Sequence, residues 1–443
     1  MSNWQKVKIG DFLFERKGRY KPNDEQIVNL PRIEKIDFSG NFHIGNKDSK
    51  TDMILIKDGD LVISGINVAK GAMGIYSGED VTATIHYSSY TFDSNKINVE
   101  YFKRFLKSSE FIELLNEQVK GGIKTEIKPK HILPLEIQLP DINTQAQIVQ
   151  HFENVEDDIA DVTKEVLKQE SLLKKLKQTI LQEAIEGKLT AKWRAKNPDI
   201  GTAKELLEQI KTEKEQLVKD KKIKASKLLA PINEDEIPFD IPPSWEWCKF
   251  GEIIYENPRN GYSPKTVDYK TEIKTLKLGA ITQGYFDTTQ IKYLDISIEK
   301  DSFLWLKKGD VLIQRSNSLE HVGMAGIYNL KDTNYIYPDL IMKCQVVQPV
   351  INYFIHKYLV SNFTREYFRN NASGAQQSMP KINQGTVTNL LVPLPPTEEQ
   401  KEIVATIEKL FTICDELESE INQNKTTVDN LMATVLKEAF EQQ

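Results

Sequence analysis

Four short loops carry the side chains best suited to surface chemistry. Two follow the aromatic helices of the chain: Lys120-Gly121-Gly122-Ile123-Lys124-Thr125 and Ser373-Gly374-Ala375-Gln376-Gln377-Ser378. The other two are Asn67-Val68-Ala69-Lys70-Gly71 and Arg315-Ser316-Asn317-Ser318. A guanidinium can donate two parallel hydrogen bonds to guanine O6 and N7, and a primary amide can bracket adenine N6 and N7. Arg315 therefore suits guanine, Gln376 or Gln377 suits an adenine edge, and Lys124 suits guanine or a phosphate. Lys70 and Lys120 offer backbone neutralisation. Asn67, Thr125, Ser316, Asn317 and Ser378 are the short polar groups that reach bases or sugars from exposed loops. The plain alternative for each loop is a polar connection without a ligand.

Residues for bond-making chemistry are not assembled in the sequence. There is no Gly-x-Gly-x-x-Gly, His-Glu-x-x-His or Gly-x-Ser-x-Gly. Gly187-Lys188-Leu189-Thr190 resembles the end of a phosphate-binding loop. It fails because Leu follows the lysine and Gln182 stands where the first glycine belongs. The six histidines are scattered, and there is no Asn-Pro-Pro-aromatic motif to hold an extruded adenine, Ile241-Pro242-Pro243-Ser244 being only linker. Cys248, Cys344 and Cys414 are too far apart for a disulfide framework or a CxxC zinc site, which fits a reducing cytoplasm. The opening Met1-Ser2-Asn3-Trp4-Gln5-Lys6 is polar, and no apolar run reaches the ~18 residues of a membrane span. The expectation is a cytoplasmic protein with no bound metal or cofactor and no membrane partner.

The elements that must position these loops occur twice. Trp4 through Asp11 matches Trp245 through Glu252, and Gly59-Asp60-Leu61-Val62-Ile63 matches Gly309-Asp310-Val311-Leu312-Ile313. Gly74-Ile75-Tyr76 matches Gly326-Ile327-Tyr328, and Tyr101-Phe102 matches Tyr353-Phe354. Leu139-Pro140, Gln145 and Ile148-Val149 match Leu394-Pro395, Gln400 and Ile403-Val404. The offset grows from 241 to 255 along the chain, as loop insertions would make it grow. The candidate loops fall at corresponding places in the two copies but differ in sequence, as readers of two different sites would. In each copy an apolar run on either side of the Lys-x-Gly-Asp turn (57–60 and 307–310) reads as a hairpin. An aromatic helix follows, with Tyr101, Phe102, Phe105, Leu106, Phe111, Ile112 and Leu115 in the first copy, and Tyr353, Phe354, Tyr358, Leu359, Phe363 and Tyr367 in the second. At this spacing the rings are core, not a base-stacking platform.

Each copy ends in a long helix. Ile148, Phe152, Val155, Ile159, Val162, Val166, Gln169, Leu173, Leu176 and Ile180 step by four and three over about five heptads. Adding 255 gives Ile403, Ile407, Leu410, Cys414, Leu417, Ile421, Asn424, Val428, Leu431 and Val435. Gln169 and Asn424 fall at the same place in the two seams and are candidates for setting register. The two helices most simply pair with each other, antiparallel or parallel; the alternative is that each recruits a helix from another chain. Gly187 is a natural stop for the first. A linker follows, with a helix expected around Ala203–Lys219. The fold class is α+β: two mixed α/β heads (1–140 and 245–395), two long helices (141–187 and 396–443) and a linker (188–244). Charge follows these blocks. The chain totals −6, yet the heads carry +1 and +3, the long helices −5 and −7, and the linker +6 over 188–230 and −4 over 231–244. An acidic average thus conceals basic surface.

Taken in order, these motifs resemble the DNA specificity subunit of type I restriction-modification enzymes. The marks are the Trp4 and Trp245 openings, the Leu-Pro-x-x-x-x-Gln sequences before both long helices, Gly187 through Arg194, and Glu234-Asp235-Glu236-Ile237-Pro238. One departure is Asn143-Thr144-Gln145, where the second copy has Glu398-Glu399-Gln400. The resemblance implies two target recognition domains on an antiparallel helix pair, each reading half of a split site in double-stranded DNA. It implies two modification (methyltransferase) subunits and two restriction subunits as partners. S-adenosylmethionine, ATP and Mg belong to those partners, and the chain itself is non-catalytic. A stand-alone bivalent DNA-binding regulator and a coiled-coil scaffold for proteins are the competing readings. The acidic helices favour large protein partners over solitary binding to a polyanion.

Overall fold

The computed structural model describes residues 4–47, 49–118, 127–226, 228–331, 334–348, 350–374 and 379–441. It divides into two compact units, one made of residues 1–168 and 421–443, the other of 169–420. Each long helix contributes to both, since they span Ile142–Ile185 and Thr397–Glu441.

In the first unit, strand Gln5–Lys8 pairs antiparallel with Glu136–Leu139, closing the head where the first long helix begins. One sheet has the spatial order Leu13–Glu15, Tyr87–Phe92, Leu61–Ser64, Met73–Ile75; another has Phe42–Gly45, Arg32–Ile36, Val81–Thr84, Met53–Ile56. The second unit repeats this plan. Glu246–Lys249 pairs with Leu391–Leu394, and one sheet runs Arg259–Asn260, Ile341–Cys344, Val311–Gln314, Ala325–Ile327. The other runs Ile291–Leu294, Ile273–Leu276, Tyr335–Ile336. The repeat seen in the residues is thus a repeat of strand order.

Two local expectations are corrected. The Lys57–Asp60 turn does not close a hairpin, because Met53–Ile56 pairs with Val81–Thr84 while Leu61–Ser64 pairs with Met73–Ile75 and Tyr87–Phe92. The turn instead passes the chain from one sheet to the other. The Asp60 carboxylate holds it by accepting from the Lys57 N–H (3.0 Å), and Asp310 does the same for Lys307 (2.8 Å). In the second unit Phe303–Leu306 forms no strand at all. The aromatic segment is also two helices in each copy, Val99–Phe105 with Ser109–Gln118 and Asn352–Leu359 with Asn362–Asn370. Ser108 and Ser361 break them, each hydroxyl accepting the N–H three residues on, from Phe111 and Thr364. Serine competes with the helix for its own backbone at such positions. The rings do form core: Tyr101, Phe102, Phe105 and Phe111 are buried, with Phe12 and Phe102 edge to face at 5.3 Å. Phe440, from the second long helix, joins them beside Tyr101, Phe105 and Phe152.

In the second unit the two helices run in opposite senses. Lys177 Nζ meets Asp415 (2.9 Å) and Glu418 (2.8 Å), while Thr190 and Arg194, further along the chain, meet the earlier Glu399. Phe152, Val166, Leu173 and Ile180 of the first seam and Ile403, Ile407, Cys414 and Ile421 of the second are buried, but Val162, Leu176, Leu417 and Leu431 are exposed. Gln169 is half-buried and Asn424 exposed. A seam one side chain deep leaves long polar groups free to turn outward.

Candidate nucleic-acid interface

Each head presents its candidate loop at the end of its most buried strand, Leu61–Ser64 or Val311–Gln314. Both loops close on a glycine in the left-handed region, Gly71 (φ 88°) and Gly323 (φ 74°), where a side chain would be strained. A single backbone hydrogen bond then draws the later connection against the earlier one. In the first head Ile127 N–H donates to Gly65 carbonyl (2.7 Å); in the second Ile382 N–H donates to Arg315 carbonyl (3.0 Å). Around the second bond, Lys381 bridges both Ser316 and Ser373. Segments about sixty residues apart in sequence thus form one surface in each head.

The residues singled out from sequence take different places on it. Lys120, Lys124, Thr125, Gln376, Gln377 and Ser378 lie outside the described residues. Lys70 is exposed, its ammonium 5.7 Å from the ring centre of the likewise exposed Phe38. Asn67 is half-buried, and its carbonyl accepts from Lys70 N–H (3.0 Å) and Ala72 N–H (3.2 Å). Arg315 is half-buried with its own backbone pinned on both sides, by Leu340 and Ile382. Asn317 donates to the buried Gln314, which in turn donates to Leu278 carbonyl and Thr282 Oγ1. Ser316 is a correction: it is fully buried and its hydroxyl donates to Pro380 carbonyl, so it braces the loop instead of meeting a ligand.

The chemistry that supports these loops was not visible as motifs. Asp60 and Asp310 are each 1% exposed, and each has its own counter-ion. Arg16 reaches Asp60 through two hydrogen bonds of 2.6 Å, and Ser89 adds a third at 2.7 Å. The hydrogen bonds to Asp60 raise the Arg16 pKa. Asp310 instead accepts from Gln345 (2.7 Å) and faces Lys343 at 3.4 Å. Burial lowers the Lys343 pKa more than the aspartate raises it. A buried carboxylate without such a partner is costly. The repeat therefore kept the acid and changed the source of the base.

Buried glutamines tie each head to its helix. Gln145 donates to Lys96 and Pro140 carbonyls and accepts from Asn98 N–H (2.7 Å); Gln400 donates to Pro395 carbonyl and accepts from Ile351 N–H (2.8 Å). Beside the second glutamine, the fully buried Glu399 accepts from Thr190 Oγ1 (2.7 Å), Arg194 Nη1 (2.5 Å) and Trp245 Nε1 (2.8 Å). Residues from three segments that the sequence marks separately thus meet at one carboxylate. Gly187 ends the first long helix at φ 71°, and a Cβ there would lie 2.5 Å from Pro242 Cγ. Among the described residues no group of His, Cys, Asp and Glu could hold a metal ion, and no helix is long and apolar enough to cross a membrane.

Comparison with known proteins gives a consistent picture. The family model for the type I restriction modification DNA specificity domain matches residues 242–424. The type I restriction enzyme EcoEI specificity subunit of Escherichia coli is 31% identical over 58% of this chain and 43% of its own length. The EcoAI specificity subunit of the same species is 26% identical over 91% of this chain and 77% of its own length. This chain therefore spans under half of the first relative. Among solved structures, a chain from a type I R-M system assembly covers 99% of this one at TM-score 0.67 and 15% identity. The HsdS subunit from Thermoanaerobacter tengcongensis covers 99% at TM-score 0.56 and 16% identity. At those identities the likeness is one of fold.

Proposed function

We propose, from the premise that the chain belongs to the specificity subunits of type I restriction-modification systems, that its two heads each read one half of a bipartite site in double-stranded DNA. The observation that carries this is the pair of equivalent backbone bonds, Gly65–Ile127 and Arg315–Ile382, which build the same surface twice from different side chains. One scaffold with two loop sets is what recognition of two unlike half-sites requires. The long helices pair antiparallel as a coiled coil and fix the unspecified spacer between the halves.

The same helices dock two methyltransferase subunits, with two restriction subunits completing the assembly. Their acidic faces and the exposed Val162, Leu167, Leu172 and Leu176 on one helix, with Ile413, Leu417 and Leu431 on the other, support helix surfaces covered by protein partners. S-adenosylmethionine, ATP and Mg act on those partners, and this chain supplies recognition without catalysis, in the cytoplasm. The test is genome-wide adenine methylation in cells with and without the gene. Loss of one split motif, two short halves around a fixed gap, is the expected result. An unchanged methylome in cells that express the methyltransferase would overturn the proposal.

A further inference from the structure

The second head contains a buried arginine without an acid. Arg365 is 5% exposed, and one terminal nitrogen, Nη2, donates to Glu320 carbonyl (2.8 Å). The other, Nη1, is buried and has no hydrogen-bond partner. Among the described residues no carboxylate lies within ion-pair distance of Arg365. Its close charged neighbour is Arg369, one helical turn on, which donates from Nε to Arg365 carbonyl (3.2 Å). Arg369 is exposed and likewise has no ion pair among the described residues. Next to Glu320 is His321, whose Nδ1 is buried without a partner, while its Nε2 is 3.9 Å from the exposed Glu320 carboxylate. Burial, then Arg369, lowers the Arg365 pKa to about 10.

The duplication shows that the fold does not require this charge. The serine caps Ser108 and Ser361 fix the correspondence of the two aromatic helices, so Arg365 stands where the first head has Ile112. The loop it grips is also two residues longer than its counterpart, running from Arg315 to Gly323 where the first head runs from Gly65 to Gly71. A cation retained under such desolvation, with a second cation beside it and orphaned donors alongside, is an arrangement short of one anion.

We infer that Arg365, Arg369 and His321 form a phosphate site on the second head, taking a backbone phosphate of bound DNA. Arg369 and the exposed edge of His321 meet the phosphate. Arg365 lies behind them, holding the loop through Glu320 and supplying charge from a low-dielectric position, where it acts at longer range. The site rests on the DNA-binding reading above and adds a contact that positions the second head without reading sequence.

The test is fluorescence anisotropy of the full chain on a 40-base-pair duplex of mixed sequence, titrated at several salt concentrations. Each neutralised phosphate contributes about 0.9 to the slope of log affinity against log salt. Arg369→Ala, a surface change, and Arg365→Ile, which installs the first head's residue, should each lower that slope by about 0.9. The disadvantage of either variant at 50 mM salt should then shrink about 3- to 4-fold by 200 mM. Arg365→Lys should keep the slope. Wild-type slopes in both Arg369→Ala and Arg365→Ile overturn the site and leave Arg365 a structural brace. Absence of salt-dependent binding by the wild-type chain overturns the DNA reading itself, and the site with it.

Discussion

Replacing Glu399 with Ala removes one buried carboxylate and strands three donors at once. Trp245 Nε1 and Thr190 Oγ1 lose their acceptor inside the protein, and Arg194, with 22% side-chain exposure, loses its counter-ion. Removing one member of a buried ion pair costs about 3–5 kcal/mol, and an orphaned buried N–H adds about 1–3 kcal/mol. Arg194 can partly rehydrate and still donates to Gly187 carbonyl (3.0 Å), so the lower half of the sum applies. The expected loss is about 4 kcal/mol, which in a unit of this size lowers Tm by roughly 8–16 °C. Urea unfolding followed by tryptophan fluorescence reads it directly, since Trp245 sits at the affected site. Two controls sharpen the result. Thr144→Ala, at the corresponding place in the first copy, touches only an exposed hydrogen bond to Asp141 and should cost under about 0.5 kcal/mol. The double variant Glu399→Leu with Arg194→Met removes both charges and should recover much of the loss. A Glu399→Ala protein within 1 kcal/mol of wild type would refute the reasoning, because no relaxation of that site satisfies all three donors.

Three further outcomes follow from the geometry. His356 is buried with Nε2 unpartnered, and burial holds its pKa at about 4. The folded state resists the proton that the unfolded chain accepts below about pH 6.5. Stability should therefore fall by about 3 kcal/mol as pH drops from 6.5 to 4, and His356→Phe should flatten that part of a pH-resolved unfolding curve; an unchanged acid limb would contradict it. Gln400→Ala strands Ile351 N–H and should cost about 1–3 kcal/mol by denaturant unfolding, whereas an exposed glutamine would cost almost nothing. Arg315→Ala should weaken the second half-site by about 1–3 kcal/mol and leave the first intact, measured as relaxed specificity confined to one half of the methylated motif; loss in both halves would place Arg315 in general backbone binding instead.

The sequence was legible where physics is local or periodic. Paired glycines and tryptophans at a drifting offset disclosed the duplication, and the matching strand orders of the two units bear that out. The helix over Ala203–Lys219 and the stop at Gly187 followed from propensity and capping. The turn at 57–60 was misread because Asp-Gly chemistry specifies a reversal of direction but not the sheet that receives the chain. The helix breaks at Ser108 and Ser361 were hidden because an apolar spacing of three and four continues straight across them. Ser316 looked like a reader because its neighbours are loop-like, and only Pro380, 64 residues away, shows that it faces inward. The Glu399 cluster and the Arg365 site depend on residues from distant segments, and no window of sequence contains them.

The glutamine joints have a consequence for how such a chain can change. Gln145 and Gln400 hold their heads solely through backbone amides and carbonyls. Backbone groups are present whatever side chains a head carries, so the joint recognises a shape and ignores an alphabet. Each buried aspartate also finds its cation within its own head, although Arg104 of the first head does pair with Glu156 of its helix (2.9 Å). A head can therefore be exchanged whole, between its opening tryptophan and its closing Leu-Pro, for another of the same backbone. On the proposed function, a change of head would change the half-site that is read and leave both glutamine joints in place.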